Sequence, residues 1–277
     1  MDKKLRALFG LKFNPFDTDV PAASLHATAA TDLFCRRMER LAGEGGFALV
    51  SGDPGTGKSA VLRVLVDRLA PLRDVLVGAL TRPQASMADF YREIGHLFGV
   101  PLAPHNRWAG ANALRETWAA HIETALSRPV LVVDEAQEMR PAVLSELRLL
   151  ASAELDSRSI LTVVLAGDAR LTERLRTPEL LPLGSRIRAR LHLEYASPGE
   201  LQDCLAHVLK EAGNAKLMTP ALVTALCEHA AGNRRALMNM ANALLDVALE
   251  RELKQLDEGL YLETFASDAG SKKRRRA

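Results

Sequence analysis

The sequence predicts an α/β fold: a parallel sheet sandwiched by helices, followed by a small helical domain. Three observations predict it. Short, continuously apolar runs alternate with longer helical patterns, the signature of β-α units. The run at Phe47–Val50 passes through a glycine-rich turn straight into an apolar-periodic segment. After Tyr195 the strand-like runs cease and only helical periods continue.

Taken in order, the candidate strands are Phe47–Val50, Val75–Leu80, Val130–Val133, Ile160–Leu165 and Leu191–Tyr195. Several are apolar throughout, as parallel strands covered on both faces require. Between them, Ala60–Leu69 places Val61, Leu62, Leu65, Val66 and Leu69 on one helical face, and Met87–Phe98 and Ala113–Leu126 read the same way. The segment Ala103–Asn112 has no period and reads as a loop. Ser197-Pro198-Gly199-Glu200 combines an N-cap serine, a proline at the first helical position and a glutamate three residues on. Thr219-Pro220 opens another helix in the same manner. The expected organisation is therefore an α/β domain over residues 1–196, a helical domain over 197–266 and a basic disordered tail over 267–277.

Composition bounds the function without naming it. The 277 residues carry a net charge of +2, so bulk charge does not announce a nucleic-acid binder. Charge distribution says more, because the chain ends in Lys272, Lys273, Arg274, Arg275 and Arg276 before a final alanine. Cys35, Cys204 and Cys227 are odd in number and widely spaced, which points to free thiols in a reducing compartment and away from a metal site. No apolar run approaches the roughly 20 residues of a membrane span. No secretory signal opens the chain. The expectation is a cytoplasmic protein without a membrane partner.

The turn after the first strand carries the chemistry. Gly52-Asp53-Pro54-Gly55-Thr56-Gly57-Lys58-Ser59 has the spacing G-x-x-x-x-G-K-S between a strand and a helix, with Ala60 continuing the helix. In that context backbone N–H groups and the positive helix end surround a phosphate. Lys58 would reach the outer phosphates and the Ser59 hydroxyl would ligate Mg²⁺, so ATP and Mg²⁺ are the expected ligands. A second carboxylate comes from "RPVLVVDEAQEM", whose apolar strand ends in Asp134-Glu135. Asp134 suits magnesium and Glu135 the polarisation of an attacking water. The plainer alternatives are an incidental lysine in a strand–turn–helix connection and a helix-capping acid pair.

At these residues the chain resembles the AAA+ ATPases, and within them the ExeA-type branch. "FGLKFNPF" at Phe9–Phe16, "DEAQEMRPAVLSELRLLASAELD" and "VVLAGDARLTERLRTPELLPLGSRIRARLHL" carry the resemblance, which spans about residues 5 to 250. Transposition ATPases of the TnsC, TniB and MuB kind look similar. The resemblance implies a P-loop AAA+ sheet in the order 5-1-4-3-2 with a helical lid and nucleotide between them. It makes Arg186 in "GSRIR" the candidate arginine finger, with Arg188 and Arg190 competing. In "AGNRRAL" the spacing from Gly232 selects Arg235 over Arg234 as the lid arginine on the γ-phosphate. The NPF segment is expected near the adenine. One position departs from the pattern: the polar sensor after strand four is usually Asn, Thr or Gln, and here it is Asp168, which implies slow hydrolysis.

The resemblance leaves the use of ATP open. Because ExeA-type proteins continue into a membrane span while this sequence stops soon after the lid, the expected function is that of a transposition regulator. Such a protein assembles on duplex DNA with ATP as a ring or filament of identical subunits, without sequence preference, and recruits or activates a transposase. Arg107, Arg115 and the Lys272–Arg276 tail are its candidate DNA contacts. The alternatives are a secretion-assembly ATPase or other protein-only switch, and a helicase-loader-like replication ATPase.

Overall fold

The computed structural model describes residues 2–100, 107–124, 127–154 and 157–265. The basic run from Lys272 to Arg276 lies outside the described residues, as does the side chain of Arg107. Two compact units emerge. One comprises Ala27–Pro54 and Lys58–Leu193, and the other comprises the residues up to His26, Gly55–Gly57 and those from Glu194 onward.

The first unit is built on five strands: β1 (Gly46–Gly52), β2 (Val75–Leu80), β3 (Arg128–Val133), β4 (Thr162–Gly167) and β5 (Ile187–Leu193). They pair in the order β2-β3-β4-β1-β5, every pair parallel, which is the 5-1-4-3-2 order the resemblance implies. Seven helices lie along it: α2 (Ala29–Glu44), α3 (Lys58–Leu69), α4 (Met87–Leu97), α5 (Arg107–Thr124), α6 (Pro141–Ala151), α7 (Ala169–Arg174) and α8 (Leu181–Gly184). Both faces of the central strands are covered, which explains why their sequences are apolar throughout. Phe47, Leu49, Leu131, Val133, Val163 and Leu165 share one core cluster with Phe90, Ile94, Leu114, Trp118, Leu144 and Leu147. The alternate residues Ala48, Val50, Val130, Val132, Val164 and Ala166 are buried as well, and α2 and α3 contact these strands.

Register places the chemistry at one end of the sheet. Val50 lies opposite Ala166 and Ser51 opposite Gly167, while Val133 lies opposite Leu165. The residues that follow β1, β3 and β4 are therefore the phosphate-loop turn, Asp134 and Asp168, all at the carboxyl ends of neighbouring strands. That is where open parallel sheets bind their ligands.

Two expected elements differ from the structure, and a third element has no counterpart in the sequence pattern. The fifth strand covers Ile187–Leu193 and stops before Glu194 and Tyr195. As an edge strand it alternates, with Ala189, Leu191 and Leu193 buried and Arg188, Arg190 and His192 exposed, so a search for continuous apolar runs finds only its end. The expected loop at 103–112 is helical from Arg107, because α5 begins there and puts Leu114 and Trp118 into the core. A two-residue antiparallel ribbon, Ser152–Ala153 with Arg158–Ser159, interrupts the connection from α6 to β4 and has no signal in the sequence.

The second unit contains α1 (Asp2–Phe9), α9 (Pro198–Ala212), α10 (Pro220–His229) and α11 (Arg234–Glu250), with a further helical turn pair at 258–265. The predicted capping box is present: the Ser197 side chain accepts from the Glu200 N–H, and the Glu200 side chain accepts from the Ser197 backbone. Thr219 caps α10 in the expected way. The first 26 residues group with these helices, whereas the sequence reading keeps them with the sheet. Leu5, Phe9, Leu11 and Phe16 are buried in one cluster with Leu201, Leu205, Leu226, Leu237 and Leu244. The Asn14 amide donates to the Asn242 side chain at 2.7 Å, so the NPF segment is anchored on α11. All three cysteines are buried free thiols; burial pushes Cys35 and Cys227 up to about 11. Among the described residues, no helix is long and apolar enough to cross a membrane.

Candidate nucleotide site

The phosphate loop takes the shape its glycines allow. Gly55 (φ 86°) and Gly57 (φ 104°) adopt positive φ values that side chains disfavour. Thr56, between them, is 1 % exposed. Lys58 opens α3 and is itself buried at 6 % exposure. Its ammonium donates to the carbonyls of Gly52 at 2.9 Å and Asp53 at 3.1 Å. A buried cation held by two neutral carbonyls has a strong claim on an anion, because carbonyl dipoles compensate a full charge only in part. Asp53, Pro54 and Ser59 are exposed, and Ala60 follows half-buried in the first turn of α3.

Asp134 and Glu135 stand where β3 ends. Asp134 is half-buried, and its carboxylate accepts from the Glu135 N–H at 2.8 Å. Glu135 is exposed and sits in the left-handed region (φ 50°, ψ 40°), an uncommon conformation for a residue with a side chain. Holding it there costs on the order of 1–3 kcal/mol, a strain that clusters at functional sites. The Ser59 hydroxyl and the Asp134 carboxylate are hard oxygen donors of the kind magnesium takes. No trio of His, Cys, Asp or Glu able to hold a metal occurs among the described residues.

Asp168 resolves the anomaly seen in the sequence. Its carboxylate caps α7 by accepting from the Arg170 N–H at 2.9 Å, and it pairs with the Arg170 guanidinium at 2.8 Å. The Arg170 hydrogen bonds hold the Asp168 carboxyl below the ordinary aspartate range, and the Lys58 charge adds to the effect. Arg170 also pairs with Glu138 at 3.0 Å. The negative charge is thus spent within α7 and the acid loop.

The loop after Glu135 is bound tightly to α7, and this the sequence reading missed. Gln137 is buried, and its amide donates to the Glu135 carboxylate while its oxygen accepts from the Asp168 N–H at 3.3 Å. Arg174 donates to the carbonyls of Gln137 and, at 2.6 Å, of Met139. The only hint in the sequence is a polar residue two places after the acid pair.

At the other end of the chain, Asn233 caps α11 by accepting from the Ala236 N–H at 3.0 Å. The Arg234 guanidinium donates to the Thr56 carbonyl at 2.8 Å, whereas Arg235 is exposed and reaches Gly55 only through its backbone N–H, at 3.3 Å. So the arginine whose side chain touches the phosphate loop is Arg234, where the spacing had selected Arg235. Arg186 is half-buried and its guanidinium donates to the Pro182 carbonyl. Its two competitors are bonded within the unit as well: Arg188 pairs with Glu44 at 3.5 Å, and Arg190 donates to Gly184 at 3.1 Å. Arg115 is half-buried and donates to the Ser152 carbonyl, which ties it to the short ribbon.

Residues 40–175 match a family described as the AAA domain. The General secretion pathway protein A of Aeromonas hydrophila is 32 % identical over 219 residues, which are 78 % of this chain and 39 % of that protein. The chain thus spans well under half of that relative's length. Among solved structures, the ORC2 protein of Aeropyrum pernix aligns with a TM-score of 0.72 at 16 % identity, over 91 % of this chain and 71 % of that one. The ORC1 protein of the same organism, in complex with DNA, aligns with a TM-score of 0.67 at 18 % identity, over 91 % of this chain and 68 % of that one. The parallel sheet in its 5-1-4-3-2 order and the fold shared with these structures agree with the AAA domain that residues 40–175 match.

Proposed function

We propose that this chain is a Mg²⁺-dependent ATP hydrolase that assembles as a homo-oligomer on duplex DNA and regulates transposition by recruiting or activating a transposase. The observation that carries the enzymatic part is that the loop leading to Lys58 follows β1 and that Asp134 and Glu135 follow β3, at the same end of the sheet on either side of β4. In this reading Lys58 compensates the phosphate charge, and the loop from Gly52 to Ala60 wraps the phosphates. Ser59 and Asp134 hold the magnesium. The ion supplies further charge neutralisation on the phosphates when bound. Glu135 polarises the attacking water, Arg235 or Arg234 reads the outer phosphate, and Arg186 of a neighbouring copy stabilises transition-state charge.

The DNA-directed part is supported by the transposition-type resemblance and by the shared fold with a DNA-bound ORC1 protein. Arg107 and the Lys272–Arg276 tail remain its proposed phosphate contacts, while Arg115 is committed to Ser152. A second reading, a protein-only assembly switch, is favoured by the 32 % identity to General secretion pathway protein A. Fluorescence anisotropy with a labelled duplex, in a salt series with ATP analogue, ADP or no nucleotide, separates the two. The DNA reading expects ATP-dependent binding that weakens with a log–log salt slope of about −0.9 per phosphate contact. No binding in any nucleotide state at low salt leaves the protein-only switch.

A further inference from the structure

The position after β4 carries an aspartate whose charge is consumed by Arg170 and by the cap of α7. The amide missing from that position is nevertheless present in space. The Gln137 side chain, 7 % exposed, lies with its oxygen on the Asp168 N–H and its nitrogen on the Glu135 carboxylate. Chemistry fixes which way round the amide sits, since a backbone N–H only donates and a carboxylate only accepts.

The surroundings are shaped to keep it there. Arg174 grips the Gln137 carbonyl and the Met139 carbonyl, so the backbone carrying the amide cannot drift. At Gly167 a Cβ would lie 2.6 Å from the Gln137 oxygen, so the last residue of β4 must be bare for the amide to reach the strand end. Glu135 itself is an exposed glutamate on a left-handed residue, with a long side chain that would otherwise sample several rotamers.

We propose that Gln137 is a positioning residue: it aims the Glu135 carboxylate and couples that aim to the end of β4, the role Asp168 cannot fill. This rests on the reading of Glu135 as the residue that polarises water. Its side chain bonds Glu135 and the Asp168 N–H and neither Ser59 nor Asp134, so the effect on catalysis is assigned to Glu135.

The test is steady-state MgATP turnover by parent, Gln137→Met and Gln137→Glu, with folding followed by thermal melting. Methionine keeps the length and removes both donor and acceptor. Glutamate keeps the shape and sets a carboxylate against a carboxylate, so one of the pair remains informative should the other unfold. Loss of a hydrogen bond to a charged group predicts a kcat lower by about tenfold to a hundredfold, with KM for ATP within about twofold. In a Glu135→Gln background the same substitutions should have no further effect on residual turnover, because the group they aim is already gone. Parent-like kcat in a folded Gln137 variant overturns the proposal, and so does an effect that multiplies with Glu135→Gln. A parent that hydrolyses no ATP overturns the ATPase reading together with this one, whereas an active parent with unaffected variants overturns this one alone.

Discussion

Gly55→Ala is the substitution whose cost the structure lets one work out. At φ 86° an alanine pays roughly 1–2 kcal/mol for the left-handed backbone. Its Cβ would also lie 2.2 Å from the Asn233 Oδ1, a distance no real pair adopts. That oxygen is not free to swing, since it accepts from the Ala236 N–H at 3.0 Å as the cap of α11. Displacing a cap costs about 1 kcal/mol more. The loop conformation proposed to surround a phosphate is therefore disfavoured by about 2–3 kcal/mol. MgATP affinity, titrated with a fluorescent analogue, should fall roughly 30- to 150-fold. The partner substitution Asn233→Gly removes the clashing atom, and glycine as a cap costs only a few tenths of a kcal/mol. Gly55→Ala with Asn233→Gly should recover about threefold in affinity over Gly55→Ala alone, leaving the backbone share in place. Affinity in Gly55→Ala equal to the parent's refutes the steric and conformational reasoning together. A double variant no better than the single refutes the steric half.

Glu135→Gln should retain ATP binding while lowering turnover by about two orders of magnitude or more, read as phosphate release beside an equilibrium binding titration. If Arg186 serves a neighbouring copy, parent specific activity should rise with protein concentration, and Arg186→Ala should flatten that rise with ATP binding unchanged; a rate independent of concentration in the parent counts against assembly. Asp168 is held below the ordinary aspartate range chiefly by Arg170, so it contributes stability above the ordinary range that is lost as pH falls through its folded value. Asp168→Asn should therefore be less stable than the parent to urea at pH 7, with the difference shrinking from about pH 5 downward; a difference that persists unchanged into acid contradicts the pairing.

What could be read from the sequence alone is what local chemistry dictates. The turn from Gly52 to Ser59 is legible because only glycine tolerates the conformations at Gly55 and Gly57, and because a lysine opening a helix after a buried strand has few other uses. The Ser197–Glu200 box and the Thr219 cap are legible for the same reason: cap and partner lie within one turn. The central strands are legible because burial on both faces leaves no polar position, whereas β5, with one face exposed, was found only at its end.

Tertiary structure decided everything that depends on residues far apart in the chain. Asp168 looks in sequence like a repulsive charge at a phosphate site; in the fold it is held by Arg170, whose guanidinium is shared with Glu138 from the acid loop on another strand. Arg115 looked like a surface contact and is tied to the carbonyl of Ser152, which a ribbon invisible in the pattern brings to it. Arg234 and Arg235 are adjacent in sequence, and spacing from Gly232 favours the second, yet the first turn of α11 sends the Arg234 guanidinium to the Thr56 carbonyl. Gln137 offered no signal beyond its polarity, because its role needs the Asp168 N–H, which arrives from another strand. Spacing specifies a group's neighbours within a turn or along a strand; across strands, only the packed sheet determines which donor meets which acceptor.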